Sequence, residues 1–219
     1  MDYIKKNLAE VKSTIPEGVL LVAVTKTRSV EEINEVIRLG VTDIGENKVQ
    51  EILEKYDSVA PVRWHLIGHL QTNKVKQIID KVYMIHSVDS LHLATEIDKR
   101  AAQAGIMMRI LVQVNAAEEE SKFGIPSGET EQLIQEILAQ CPKLMIQGLM
   151  FIAPFDDPQN VRGYFADVKK QFDQLKKINH PRLDFQVLSM GMSNDYQVAI
   201  EEGSNLVRVG SAIFGTRNY

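Results

Sequence analysis

The 219-residue sequence has little cysteine, few aromatic residues and no surplus of positive charge, and each shortage excludes a class of protein. Its one cysteine, Cys141, excludes an internal disulfide and favours a reducing compartment. The net charge of −4 gives no reason to expect binding to nucleic acid or to an anionic membrane surface. No apolar run is long enough to cross a bilayer, and residues 1–12 carry mixed charges unlike a signal peptide. We therefore expect a cytoplasmic protein.

Several sequence motifs are missing as well. The histidines lack metal-ligand spacing to cysteine or acidic residues, so no metal site is expected; they are His65, His69, His86, His92 and His180. There is no Walker loop, dinucleotide fingerprint or serine nucleophile elbow. No linker rich in proline, glycine or serine divides the chain, which predicts one domain over residues 1–219.

Short apolar runs alternate with longer amphipathic stretches along the whole chain. We predict strands at Leu20–Thr25, Thr42–Gly45, Arg63–Ile67, Val82–His86, Met107–Asn115, Met145–Met150, Phe185–Leu188 and Leu206–Val209. Alternation of this kind favours a parallel sheet with helices outside it. A doubly wound open sheet rarely has eight such regular units, so we predict an α/β fold, a single (β/α)8 TIM barrel with an extra N-terminal helix at residues 2–13.

Helix boundaries are marked by capping residues. Ser29 and Glu32 predict a capping box for a helix over Val30–Leu39. Asp89 is predicted to cap a helix over Ser90–Ala104. Two longer amphipathic helices are predicted at Glu129–Gln140 and Val161–Lys177.

The active sites of such barrels lie at the C-terminal ends of the strands, and Lys26 directly follows the first predicted strand. A lysine at a strand end is usually a charge that reaches water. Held between apolar walls and other cations, however, a lysine becomes a nucleophilic amine that can form a Schiff base. The position of Lys26 makes it the candidate for such chemistry.

The tips of the last two strands carry glycine and serine before predicted helices. The residues are Ser189, Gly191, Ser193, Gly210 and Ser211. Glycine admits an anion close to backbone amides, and barrels commonly bind phosphate at these two loops, near a short helix such as residues 212–215. Either loop alone fits ordinary turn and capping residues. The two together favour a phosphate site.

A phosphate site beside a reactive lysine suggests a phosphorylated carbonyl ligand, either pyridoxal 5′-phosphate or a sugar phosphate. Arg208 lies two residues before Gly210, so its side chain should point into the same end of the barrel. Its partner is either a carboxylate such as Glu46 or Asp43, or an acceptor on the ligand such as a pyridine nitrogen.

Several longer motifs resemble a known family. The segments "LVAVTKT", "DIGENKVQE", "WHLIGHLQTNK" and "LSMGMSNDYQVAIEEGSNLVRVGSAIFG" closely resemble those of the pyridoxal-phosphate homeostasis proteins, and the similarity runs nearly end to end. That family is similar in fold to the barrel domain of alanine racemase. The resemblance implies a protein that holds pyridoxal 5′-phosphate as a Schiff base and affects amino-acid and keto-acid pools.

The resemblance also implies roles for individual residues. Lys26 would form the Schiff base, Asn47 would lie near the ring and Arg208 would face the pyridine nitrogen. The full set of expected cofactor-binding residues is Lys26, Asn47, Ser189, Gly191, Ser193, Arg208, Gly210 and Ser211. Lys122 in "SKFG" also matches a family position, and no role follows for it.

Alanine racemase needs a second domain that supplies a tyrosine base, and this chain ends at Tyr219 with no length for one. We therefore expect a monomeric carrier with no turnover, whose partners are the cofactor and recipient apo-enzymes. One alternative is a pyridoxal-phosphate enzyme with weak racemase or transaminase-like activity. That enzyme would need an acid or base from His65, His69 or Tyr196. A Schiff-base aldolase is a third hypothesis, although that class usually presents its lysine from a later strand.

Overall fold

The computed structural model describes residues 2–119 and 122–215, and Tyr219 lies outside them. The strands are β1 (Leu20–Val24), β2 (Asp43–Glu46), β3 (Arg63–Leu66), β4 (Met84–Val88), β5 (Met108–Asn115), β6 (Ile125–Pro126), β7 (Leu144–Phe151), β8 (Leu183–Met192) and β9 (Leu206–Val209). The helices are α1 (Asp2–Ser13), α2 (Val30–Arg38), α3 (Val49–Lys55), α4 (Leu91–Ala104), α5 (Thr130–Gln140), α6 (Arg162–Leu175), α7 (Tyr196–Glu201) and α8 (Ser211–Phe214). Short 3₁₀ segments follow β3 and β6, at Thr72–Gln77 and Ser127–Glu129.

Eight parallel strands close into a barrel. The order β4-β3-β2-β1-β9-β8-β7-β5 is completed by pairing of β4 with β5, so the sheet closes on itself. The two-residue strand β6 lies outside the ring and pairs with the end of β5, at Val114 and Asn115. The TIM barrel predicted from the sequence is confirmed, and α1 is the predicted extra helix.

The strands were recognisable because parallel barrel strands are buried on both faces and read as continuous apolar runs. β1 has the sequence LLVAV, and β4 is buried along its whole length. β6 was not predicted, because a two-residue strand has no periodicity to detect.

Capping residues begin and end the helices much as the sequence suggested. The capping box of Ser29 and Glu32 is present at the start of α2. The predicted cap at Asp89 is wrong, since the Ser90 side chain accepts the hydrogen bond from the backbone of Leu93. Gly105 ends α4 in the left-handed conformation, at φ 69°.

The eighth strand is longer than predicted, and this difference changes the site. β8 runs over Leu183–Met192, although the sequence indicated only Phe185–Leu188. Ser189 and Gly191 therefore lie in a buried strand, with Ser189 in register with Met150 of β7 and Leu206 of β9. The polar residues before and after the apolar run concealed its true length.

Helices surround the barrel, and α1 packs against α2 and α8. Asn7 of α1 donates a hydrogen bond to the Ile213 carbonyl at 3.1 Å, which ties α1 to the end of the described chain. Among the described residues, none of the helices combines the length and apolar character needed to cross a bilayer.

Candidate functional site

A cavity of about 420 Å³ opens at the C-terminal end of the barrel. Its lining residues are Val24, Lys26, Arg28, Asn47, Ile67, Ile152, Phe155, Met192, Ser193, Asn194, Arg208, Gly210 and Ser211. Three of them are cationic, and none of the described residues that line it is a carboxylate. A cavity of this size with a positively charged lining suits a small organic anion that carries an apolar ring.

A tight turn after β1 carries Lys26 to the cavity. The turn is closed by a hydrogen bond from the Arg28 amide to the Thr25 carbonyl at 3.0 Å. Thr27 within it has φ 64°, a left-handed conformation that costs a non-glycine residue about 1–2 kcal/mol. The Thr27 amide donates to Glu51 Oε2 at 2.6 Å, so a side chain of α3 holds this residue in place.

Arg208 lies at the floor of the cavity and is 3% exposed. Its Nη1 donates to the Ser189 carbonyl at 2.8 Å and to Ser189 Oγ at 2.5 Å, while Nη2 donates to the Phe151 carbonyl at 2.8 Å. Three of the five guanidinium N–H groups are thus used. The other two, on Nε and Nη2, have no acceptor within residues 2–119 and 122–215. Arg208 thus brings two unused donors to the cavity lining.

No carboxylate of the described residues bonds to Arg208, so of the two alternatives the pairing with Glu46 or Asp43 is wrong. Asp43 pairs with Arg63 and His65, and Glu46 pairs with Lys55. Burial lowers the pKa of Arg208 to about 10, and Asp195 opposes that shift only through space. The guanidinium therefore remains a cation at neutral pH.

A chain of hydrogen bonds runs from Arg208 through the barrel interior. Ser189 Oγ lies 3.1 Å from His86 Nδ1, and His86 Nε2 lies 2.8 Å from His65 Nδ1. His65 Nε2 then lies 2.8 Å from Asp43 Oδ1. Burial raises the pKa of Asp43, but hydrogen bonds from His65, Arg63 and Thr42 lower it to about 2. The chain links the cavity floor to the opposite end of the barrel.

The start of α8 forms another wall of the cavity. Ser193 Oγ accepts hydrogen bonds from the backbone amides of Gly210 at 3.1 Å and Ala212 at 3.3 Å. A Cβ atom at position 210 would lie 3.2 Å from both Cβ and the carbonyl oxygen of Val24, so the two strand ends approach closely there. Ser211 is exposed at the cavity edge. Two hydroxyls and a strand-end glycine thus converge on one side.

Two of the residues predicted to bind the cofactor do not line the cavity. Ser189 is fully buried, and its hydroxyl serves Arg208 and His86. Gly191 has φ 94°, and a Cβ there would lie 2.7 Å from Cβ of Ala199. Both residues lie within β8 and not in a loop, and their expected part in binding the cofactor stays a prediction.

The other six predicted residues lie together on the cavity wall: Lys26, Asn47, Ser193, Arg208, Gly210 and Ser211. Asn47 Oδ1 is buried and has no hydrogen-bond partner in the part of the chain that the structure describes. Sequence reasoning missed Arg28, Asn194 and five apolar lining residues. Arg28 follows Lys26 by two positions at the same strand end. It could have been predicted, because active sites of such barrels lie at the C-terminal ends of the strands.

The side chains considered as a second acid or base lie elsewhere. His65 is buried in the chain below Arg208, and His69 stacks on Phe123 with ring centroids 3.8 Å apart. The Tyr196 hydroxyl bonds to Thr14 Oγ1 at 2.7 Å. None of these three lines the cavity.

The chain matches the family model described as "Alanine racemase, N-terminal domain" over residues 1–218. It is 42% identical to the pyridoxal phosphate homeostasis protein of Aquifex aeolicus, covering 91% of this chain and 87% of that protein. The structure of PipY from Synechococcus elongatus, with PLP bound, superposes with a TM-score of 0.87 at 32% identity, over 97% of this chain and 100% of that one.

More distant structures share the fold alone. An alanine racemase of Clostridium difficile superposes with a TM-score of 0.78 at 16% identity, and the match covers all of this chain and 57% of that one. The racemase barrel therefore corresponds to the barrel described here. With the family model and the Aquifex relative matching most of its length, the chain belongs to the alanine racemase N-terminal domain family and, within it, to the pyridoxal phosphate homeostasis proteins.

Proposed function

We propose that this protein binds pyridoxal 5′-phosphate in the cavity at the C-terminal end of the barrel, with Lys26 as the point of covalent attachment. One observation carries the proposal: Lys26, Arg28 and Arg208 surround a cavity of about 420 Å³ whose described lining contains no carboxylate. Such a site favours an anionic ligand over a neutral or cationic one. The similarity to PipY with PLP bound supports the same ligand.

The lining residues fit the two ends of the cofactor. Ser193 and Ser211 offer hydroxyl groups, and Gly210 leaves its backbone accessible, which together suit the phosphate dianion. Apolar side chains suit the flat ring, and they are Val24, Ile67, Ile152 and Met192. Asn47, whose buried Oδ1 has no partner among the described residues, provides a polar contact for the ring substituents.

Arg208 is the group best placed to meet the pyridine nitrogen, because two of its N–H donors have no acceptor among the described residues. Bound pyridoxal phosphate supplies an aldehyde that condenses with amines and a ring that withdraws electrons. A guanidinium that keeps its proton holds the ring nitrogen neutral, and this weakens that electron withdrawal. Arg208 thus favours retention of the cofactor over strong catalysis.

The cavity contains one amine and no second acid or base among the described lining residues. Racemisation needs proton transfer on both faces of the substrate, so this arrangement supports a carrier and weighs against a racemase. We propose a monomeric, cytoplasmic protein that holds the cofactor as a Schiff base, delivers it to apo-enzymes and thereby affects amino-acid and keto-acid pools. The alternative, a weak pyridoxal-phosphate enzyme, rests on Lys26 alone.

The test is covalent labelling of the purified protein with pyridoxal phosphate and borohydride, followed by peptide mass mapping. We expect one pyridoxyl group per chain, on the peptide that contains Lys26, and none in Lys26→Ala. Lys48→Ala is the matched control, because Lys48 is an exposed lysine near the same end of the barrel that does not line the cavity. Labelling that falls mainly on other lysines would show that the attachment site is wrong.

A further inference from the structure

Two residues of α3 hold the backbone on either side of Lys26. Glu51 Oε2 accepts a hydrogen bond from the Thr27 amide at 2.6 Å. Lys55 Nζ donates to the Thr25 carbonyl at 3.1 Å. The residues before and after Lys26 are therefore both fixed by the Glu51–Lys55 pair, although neither member of the pair lines the cavity.

The Glu51–Lys55 pair is itself locked in place. Lys55 Nζ lies 2.7 Å from Glu51 Oε2 and 2.9 Å from Glu46 Oε1, so its three N–H donors have three acceptors. Thr25 Oγ1 also donates to Glu46 Oε1, at 2.7 Å. Lys55 is 8% exposed and Glu46 is 0% exposed, which distinguishes this cluster from an ordinary surface ion pair.

The pair acts on a strained residue. Thr27 is β-branched and has φ 64°, a conformation in which bulky residues are rare outside sites where neighbouring contacts impose it. At the third position of a four-residue turn, positive φ usually selects glycine or asparagine. The turn therefore needs an external constraint, and the charge-assisted bond to Glu51 supplies one.

We propose that Glu51 and Lys55 are positioning residues that hold the Thr25–Arg28 turn in its strained form and so direct Lys26 into the cavity. The reaction of Lys26 with a phosphorylated aldehyde rests on the proposed function. The constraint on the turn does not depend on it. Without Glu51, Thr27 relaxes toward negative φ and the backbone that presents Lys26 rotates away. Glycine at position 27 accepts the left-handed conformation without help, so Thr27→Gly compensates for the loss of Glu51.

The first measurement uses the protein without cofactor. Amide hydrogen exchange of the segment 25–28 should become about tenfold faster in Glu51→Ala, the factor expected for loss of one charge-assisted hydrogen bond. Lys55→Met should have an effect in the same direction. Glu54→Ala is the matched control, because Glu54 is an exposed carboxylate on the same helix, and its exchange should match the wild type. Unchanged exchange in Glu51→Ala would overturn the proposed constraint, whatever the cofactor result.

The second measurement is the rate at which Lys26 takes up pyridoxal phosphate, quenched by borohydride and mapped by mass. We expect a decrease of about tenfold in Glu51→Ala and recovery to within about threefold of wild type in Thr27→Gly/Glu51→Ala. Labelling that stays normal while exchange accelerates would overturn the positioning role and leave the proposed function intact. Absent labelling in the wild type would instead contradict the proposed function, and exchange would still decide the constraint.

Two results separate positioning from a purely structural role. If Glu51→Ala lowers the melting temperature and Thr27→Gly fails to restore labelling, the strain argument is wrong. Should Glu51→Ala not fold, Glu51→Met replaces it, because methionine fills a similar volume but accepts no strong hydrogen bond from the Thr27 amide. Labelling of Glu51→Met at the wild-type rate would also count against the proposal.

Discussion

The Nδ1 atom of His65 lies 2.8 Å from the Nε2 atom of His86, and both rings are fully buried inside the barrel. Because Arg208 donates to Ser189 Oγ, the serine hydrogen needs an acceptor, and His86 Nδ1 is the one within reach. The network therefore assigns the His86 proton to Nε2, pointing at His65. The neutral His86 thus lies between the Ser189 hydroxyl, which is bonded to the Arg208 cation, and the imidazole of His65.

The environment of His86 predicts a pH-dependent stability. Burial lowers the pKa of His86 well below its usual value, and the neighbouring His65 and Arg208 lower it further. Below about pH 6.5, His86 is protonated in the unfolded chain but stays neutral in the folded chain. The free energy of unfolding therefore falls as the pH drops below about 6.5. We expect a loss of about 1 kcal/mol between pH 6.5 and 5.5, removed in His86→Asn.

Denaturant unfolding at several pH values measures this effect. His92→Asn is the matched control, because His92 is exposed on α4 and its replacement should leave the slope unchanged. Equal slopes for wild type and His86→Asn would mean that His86 is not the group responsible.

Gly191 predicts a large loss of stability on substitution. Its φ is 94°, and a Cβ would lie 2.7 Å from Cβ of Ala199 and 2.8 Å from Cα of Tyr196. Gly191→Ala combines backbone strain with steric overlap and should cost about 2–4 kcal/mol of unfolding free energy. Gly163→Ala, in α6 with open space around the new methyl group, should be neutral or slightly stabilising. Thermal unfolding of both variants tests the prediction. Similar melting temperatures for Gly191→Ala and Gly163→Ala would refute it.

The proposed phosphate contacts predict a ranked effect on affinity. Pyridoxal should bind far more weakly than pyridoxal phosphate, because the three lining cations act mainly on a dianion. Ser211→Ala should weaken binding about threefold to tenfold through loss of one hydroxyl. Gly210→Val should weaken it more, because its side chain meets Val24 at 3.2 Å and must displace the strand end. Absorbance titration measures all four affinities, and equal values for the two vitamers would rule out this arrangement.

The composition of the cavity predicts little turnover. The described lining supplies Lys26 as its one amine and Arg208 as a donor that keeps its proton. We therefore expect no substantial deuterium exchange at the α-carbon of common amino acids. Proton NMR over a panel of amino acids measures the exchange, with Lys26→Ala as the background. Rapid exchange that depends on Lys26 would establish the enzyme alternative in place of the carrier.

The sequence by itself determined the barrel and the end of it that carries the site. Continuous apolar runs identified the eight barrel strands, because parallel barrel strands are buried on both faces. Lys26 follows the first of these runs. Because active sites of TIM barrels lie at the C-terminal ends of the strands, its position predicted that it belongs to the site. Local capping patterns, such as Ser29 with Glu32, were also readable because they involve residues three apart.

Only the tertiary structure decided which polar residues meet. His86 and Ser189 are 103 positions apart, and Arg208 bonds to Ser189 because β8 and β9 are neighbours in a closed barrel. The sequence therefore left a carboxylate or a ligand as alternatives for Arg208, and it did not indicate Ser189 or Phe151 as partners. Strand β8 extends to Met192 because its pairing with β7 and β9 overrides its polar residues. Contacts between distant segments depend on barrel closure, and no local pattern encodes them.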